Sequence, residues 1–237
     1  QKTDRKSPAG RKPLDVILMF KAMVIQRLFN LSDEQLEFQI TDRTSFTRFL
    51  GLHDGETIPD YTSFWGFRES LKEKGLERNL FDQFSAKLEA EGVYAKSGSI
   101  IDATIVEVPK QRNSREENAK IKAGHVPVDW DENKSCHKDT DARWVKKNGV
   151  SFFGYKNHIK TDAGTSLITD YRVTAANTHD SVALKELVNE TDAGKTLHAD
   201  SAYTGEEIEQ VLKDLKIENK VCEKGYRGAP LTEDQRR

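Results

Sequence analysis

Ser99-Ile100-Ile101-Asp102-Ala103-Thr104-Ile105-Val106 is an apolar, largely β-branched run with one carboxylate at its centre. Such residues suit a pleated strand, and a carboxylate inside one is costly unless a charge meets it. A second run, Lys195-Thr196-Leu197-His198-Ala199-Asp200, ends on another aspartate and leads into a helical pattern. Two carboxylates placed in this way point to a shared cation. They become neighbours if the two strands pair.

Between and after these runs the periodicity is mixed. Segments 153–161 and 166–174 flank Asp162-Ala163-Gly164-Thr165, whose Asp and Gly suit a hairpin turn, so the two are expected to pair. Val182, Leu184, Leu187 and Val188 mark a helix over 180–189. Ile208, Val211, Leu212 and Leu215 mark another over 205–216, and 217–221 reads as a last strand. A hairpin followed by alternating helices and strands implies a mixed sheet covered by helices. The segment 109–149 is polar and weakly periodic, an insertion of unusual length for a compact domain.

Upstream the pattern is helical throughout. Leu14, Ile17, Leu18, Val24, Ile25 and Leu28 follow the spacing of one buried helix face after Pro13. Ser32 and Gln35 form a capping box with Leu31 and Leu36 as a hydrophobic staple. Three more helices follow, carrying Phe46, Phe49 and Leu50, then Phe64, Phe67 and Leu71, then Leu76, Leu80, Phe84 and Leu88. The expected fold class is therefore α/β, with an all-helical domain over 1–97 and a mixed-sheet domain over 98–237. Short helices with tight turns are compatible with DNA reading, and equally with any helical accessory domain.

Composition bounds the rest. With 36% hydrophobic and 32% charged residues the chain reads as globular. No apolar run approaches the roughly 18 residues of a membrane span and no signal-peptide pattern occurs, so a cytoplasmic protein with no membrane partner is expected. Cys136 and Cys222 are too few and too isolated for a disulfide framework or a cysteine zinc site. The net charge of -2 gives no global sign of a polyanion partner, yet residues 110–160 hold twelve Lys or Arg against seven Asp or Glu. Lys2, Arg5, Lys6, Arg11 and Lys12 form a second basic stretch.

Two neighbouring carboxylates can hold a hard divalent cation, Mg2+ or Mn2+, whose remaining positions go to water and phosphate oxygens. The bland alternative has Asp102 capping a bulge and Asp200 capping the helix that enters at Gly205. Lys156 and His158 share one strand face, where they contact phosphates beside the metal or simply form the solvent side of the strand. Lys110, Arg112, Lys146 and Lys147 are the other candidate phosphate contacts. For Asp180, after His179, capping of the next helix is the expected role.

Six ordered blocks carry a more specific signal. Asn30-Leu31-Ser32-Asp33, Ile58-Pro59-Asp60-Tyr61-Thr62 running into Phe67-Arg68, and Ile101-Asp102-Ala103-Thr104 resemble the bacterial insertion-sequence transposases of the insertion-sequence-five group. Phe153-Gly154-Tyr155-Lys156-Asn157-His158-Ile159, Thr174-Ala175-Ala176-Asn177-Thr178-His179-Asp180 and Ala199-Asp200-Ser201-Ala202-Tyr203-Thr204-Gly205 continue the likeness in the same order. The resemblance implies a ribonuclease-H-like DDE domain that cuts double-stranded DNA and transfers its 3′ ends with divalent metal. Its DNA partners would be the terminal repeats and the target, its assembly a homo-oligomer, and its location the bacterial nucleoid.

By position, Asp102 and Asp200 correspond to the family's first two acids. The third, a Glu within an Arg-rich helix, falls beyond Arg237. The expectation is thus a C-terminally truncated transposase that binds without chemistry. The alternatives are a non-catalytic DNA-binding remnant that occupies element ends or modulates full-length copies, and a hydrolase of small phosphate esters. The basic insertion favours a long polyanion over a small ester.

Overall fold

The computed structural model describes residues 14–53, 55–223 and 225. Lys2, Arg5, Lys6, Arg11 and Lys12 lie outside them. Backbone contacts divide the chain into two compact units, Gln1–Phe84 and Ser85–Arg237.

The first unit is helical among its described residues. It contains α1 (Val16–Phe29), α2 (Asp33–Asp42), α3 (Thr44–Leu50), α4 (Tyr61–Glu73) and the beginning of α5 (Leu76–Ala90). The α2 start is capped reciprocally: Gln35 N donates to Ser32 Oγ at 3.1 Å and Ser32 N to Gln35 Oε1 at 2.9 Å. Asp60 caps α4 through Ser63 N at 2.7 Å, and Gly51 closes α3 at φ 80°. Met19, Ala22 and Ile25 pack with Leu36, Ile40, Phe46, Leu50 and Phe64. The buried face of α1 therefore differs from the expected one, since Ile17 and Leu28 are 66% and 75% exposed. Val-Ile-Leu-Met-Phe opens this helix with no polar residue, so spacing alone does not select a side.

Two of the sequence blocks meet in this unit. Arg68 on α4 grips Asp33 on α2 with two parallel hydrogen bonds, 2.6 and 2.5 Å long, and Gln26 on α1 donates to the same carboxylate at 2.7 Å. The Arg68 bond holds the Asp33 carboxyl below its ordinary range.

The second unit is a mixed six-stranded sheet. In it, β1 (Gly98–Glu107) lies between β3 (Val150–Asp162) and β5 (Thr196–Ala199), antiparallel to the first and parallel to the second. Beyond β5 comes β6 (Glu218–Val221), again parallel. The far edge of β3 is shared: β2 (Arg143–Lys147) pairs with its first residues and β4 (Ile168–Ala175) with the rest, both antiparallel. The expected hairpin forms. Its turn is held by Asp162, whose carboxylate accepts from Thr165 N, Thr165 Oγ1, Ala95 N and Lys96 N.

The insertion is not a bare loop. It carries α6 (Arg115–Lys122), α7 (Glu132–Cys136) and the edge strand β2. At the end of β1 the chain passes so close to β3 that a Cβ on Gly154, whose φ is 153°, would lie 2.1 Å from Val106 O. No other residue fits there.

Helices α8 (Asp180–Leu187) and α9 (Glu206–Asp214) cover one sheet face, where Ile101, Leu197 and Ala199 pack with Leu184, Leu187, Ile208 and Leu212. Alternation puts Ile100 and Val106 on the other face, and they are 41% and 46% exposed.

Candidate functional site

The parallel register of β1 with β5 ends at Ile101 opposite Ala199, both buried against the helices. Asp102 and Asp200 directly follow this last pair; alternation turns Asp102 to the open sheet face, while Asp200, just past the end of β5, lines a cleft together with Ala103 and Ile105, which alternate with Ile101 on the helix-covered side. The two strands that carry the candidate acids do pair. Neither acid is buried, however. The cost of a carboxylate inside a strand is not incurred at Asp102, which occupies the open sheet face where water meets its charge.

Each carboxylate makes one hydrogen bond to a nearby backbone amide: Ala103 N donates to Asp102 Oδ1 at 2.7 Å and Ala202 N to Asp200 Oδ1 at 2.9 Å. Asp200 thereby caps a short 3-10 turn, Ser201–Tyr203, and not the helix α9. Among the described residues neither acid enters an ion pair, and no group of three or more His, Cys, Asp or Glu is placed to hold a metal.

The cleft lined by Asp200 has a volume of about 230 Å3 and also takes in Lys146 and Lys147 of β2, Lys156 of β3, Asp180 of α8 and Ala202. Lys146 and Lys147 are exposed. Lys156 donates to Asp180 Oδ1 and to Thr178 O, both at 2.8 Å, so its ammonium is fixed at the cleft wall. Asp180 spends its carboxylate on this lysine. The α8 cap is His179, whose Nδ1 accepts from Ser181 N. Lys110 and Arg112 are exposed in the insertion, with the Lys110 ammonium 5.8 Å from the centre of the half-exposed Trp144 ring.

His158 requires a correction. It has no exposed surface, so it offers phosphate nothing and is not part of a solvent face. Its Nε2 lies 2.9 Å from Thr174 Oγ1 and its Nδ1 3.4 Å from Tyr203 Oη. Burial pushes the imidazole below its ordinary pKa and keeps it neutral at pH 7. Burial likewise pushes the Tyr203 phenol up, and the charges of Asp180, Asp102 and Asp200 add to that rise. Three carboxylates are thus near enough to act on one phenol.

Residues 94–237 match the family described as Transposase DDE domain, and residues 1–70 match that described as Transposase domain (DUF772). The chain belongs to the DDE transposase family. Three solved structures are similar to the chain at low identity. The piggyBac transposase synaptic complex with hairpin DNA is 13% identical with a TM-score of 0.48, over 95% of this chain and 46% of that one. The Mos1 strand transfer complex is 13% identical with a TM-score of 0.27, over 90% and 60%. The Mos1 mariner paired end complex with Mn is 13% identical with a TM-score of 0.28, over 90% and 61%. This chain therefore spans 46% to 61% of the transposase chains it matches. Within the described residues, no helix is long and apolar enough to cross a membrane.

Sequence reasoning missed two parts of this DDE domain. The Asp180 to Lys156 pair was hidden by the 24 residues between the partners. Tyr203 was visible only as the single aromatic of the Ala199-to-Gly205 block.

Proposed function

We propose that this chain serves an insertion-sequence transposase of the insertion-sequence-five group, acting on double-stranded DNA at element ends and at the target. Residues 98–237 form its ribonuclease-H-like catalytic domain and residues 1–97 a DNA-binding domain. The observation that supports this reading is the pairing of β1 with β5, whose last partners, Ile101 and Ala199, immediately precede Asp102 and Asp200, in a domain of the DDE family.

The donor set suits a hard divalent cation. Asp102 and Asp200 offer carboxylate oxygens, each accepting one amide bond, and among the described residues neither is held in an ion pair. When bound, Mg2+ or Mn2+ supplies charge neutralisation at the phosphate and acidifies the attacking water or 3′-hydroxyl. Lys146 and Lys147 reach the DNA backbone from β2, and Lys110 and Arg112 extend the track along the insertion, while Lys156, held by Asp180 and Thr178 O, lines the cleft.

Titration with Mn2+ tests the metal half. Weak binding is expected in the parent chain and none in Asp102→Asn, since the change removes half the charge that holds the ion. Undiminished binding in that variant assigns the metal elsewhere. For the DNA half, affinity should fall with salt at a log-log slope of about -0.9 per phosphate contact. Reversing Lys146 and Lys147 to Glu should weaken all DNA sequences alike and flatten the slope by about 2. A loss confined to one sequence would indicate base reading by these lysines. DNA binding without any Mn2+ site would instead favour a non-catalytic occupant of element ends.

A further inference from the structure

We propose that Tyr203 is a positioning residue for Asp200, anchored in turn by His158 and Thr174. The proposal rests on the reading of Asp200 as a metal ligand.

The turn that carries Asp200 is only three residues long. Its local bonds, Ala202 N to Asp200 Oδ1 at 2.9 Å, Tyr203 N to Asp200 O at 3.1 Å and Thr204 Oγ1 to Ser201 O at 2.9 Å, are too few to fix a segment of this length by themselves. What fixes it is the residue at its end. Tyr203 is 1% exposed and packs into the core beneath the sheet with Leu184 and Ile208. Packing alone would be served by phenylalanine, without the cost of burying a hydroxyl.

The hydroxyl instead reaches His158, which is itself fully buried on β3, and His158 reaches Thr174 on β4. With the imidazole neutral, one consistent pattern is available. Tyr203 Oη donates to Nδ1, and Nε2–H donates to Thr174 Oγ1. The contact to Nδ1 is long at 3.4 Å, yet it is the partner the hydroxyl has among the described residues. Three polar groups in a row, on two sheet strands and one turn, thus tie the turn that carries Asp200 to β3 and β4. A carboxylate that must meet a cation jointly with Asp102 gains from such support, as outer-shell partners of metal ligands generally do.

Two readouts on the full chain test this. Tyr203→Phe removes the hydroxyl and keeps the ring. Hydrogen exchange at the Ala202 amide should quicken severalfold while exchange in β1 and β3 stays unchanged, and Mn2+ affinity should fall by about tenfold. If Mn2+ affinity stays within about twofold of the parent, the proposal is overturned, and a change at Ala202 alone would then mark Tyr203 as purely structural. Should the variant unfold, Thr174→Val decides, since it removes only the far end of the row; the same losses, smaller, are expected, and unchanged Mn2+ affinity overturns the proposal. If the parent chain binds no Mn2+ through Asp102, the proposed metal site fails, and the positioning of a ligand fails with it. In that case Ala202 exchange still shows separately whether Tyr203 anchors the turn.

Discussion

Asp102→Ala and Asp200→Ala each lower cleavage of element ends by roughly a thousandfold or more, measured on a transposase that contains these residues. A divalent ion at a phosphate in transfer is worth several kcal/mol of barrier, and about 4 kcal/mol corresponds to that factor. The fold should persist in both variants, with Asp200→Ala costing the cap of one short turn. Both carboxylates are exposed and each gives up only one local amide bond. The contrast with the lysines is diagnostic, because Lys146→Glu with Lys147→Glu should raise the DNA concentration needed for half-maximal cleavage and leave the rate at saturating DNA nearly unchanged. A thousandfold loss from the lysine pair, with little from the aspartates, would reverse the roles assigned here.

The second large effect concerns stability. Lys160 of β3 and Asp192, in the 3-10 turn that leads from α8 toward β5, form an ion pair of 2.5 Å with side chains only 6% and 7% exposed. Lys160 also donates to Leu187 O at 3.1 Å, and Asp192 accepts from Asn189 N at 3.0 Å. Removing one partner leaves a buried charge without its counterion. Asp192→Asn should therefore cost about 3–5 kcal/mol and lower the midpoint of thermal unfolding by roughly 10 °C. Lys160→Met combined with Asp192→Leu should recover most of the loss, since a buried pair is often replaced by apolar residues at little net cost. Equal destabilisation by the single and the double change, seen in thermal melts, would show that the site needs the charges themselves.

What was legible in the sequence was local. Ser32 with Gln35, Asp60 before α4, and the Asp162-to-Thr165 turn each announce a boundary through bonds made within a few residues. The strand around Asp102 was readable from its β-branched run and that before Asp200 from its short apolar stretch, while their pairing was conditional in the sequence and is established by the parallel register of β1 with β5. Polar residues that the fold encloses were not readable. Lys156, His158 and Lys160 look like the wet side of a strand, and they face the helices because Asp180, Tyr203 and Asp192 wait there 24, 45 and 32 residues away. Strand β2 was hidden for a related reason. Arg-Trp-Val-Lys-Lys has no apolar face to betray it, and as an edge strand it needs none. The surroundings of Asp102 were not legible either, because a β-branched run marks a strand without showing that one of its faces stands open.

Anomalous scattering from crystals of this chain grown with Mn2+ tests the central claim most directly. The account predicts an ordered ion liganded by the carboxylates of both Asp102 and Asp200. An ion ordered at any other site, with those two carboxylates left in their amide bonds alone, would contradict it.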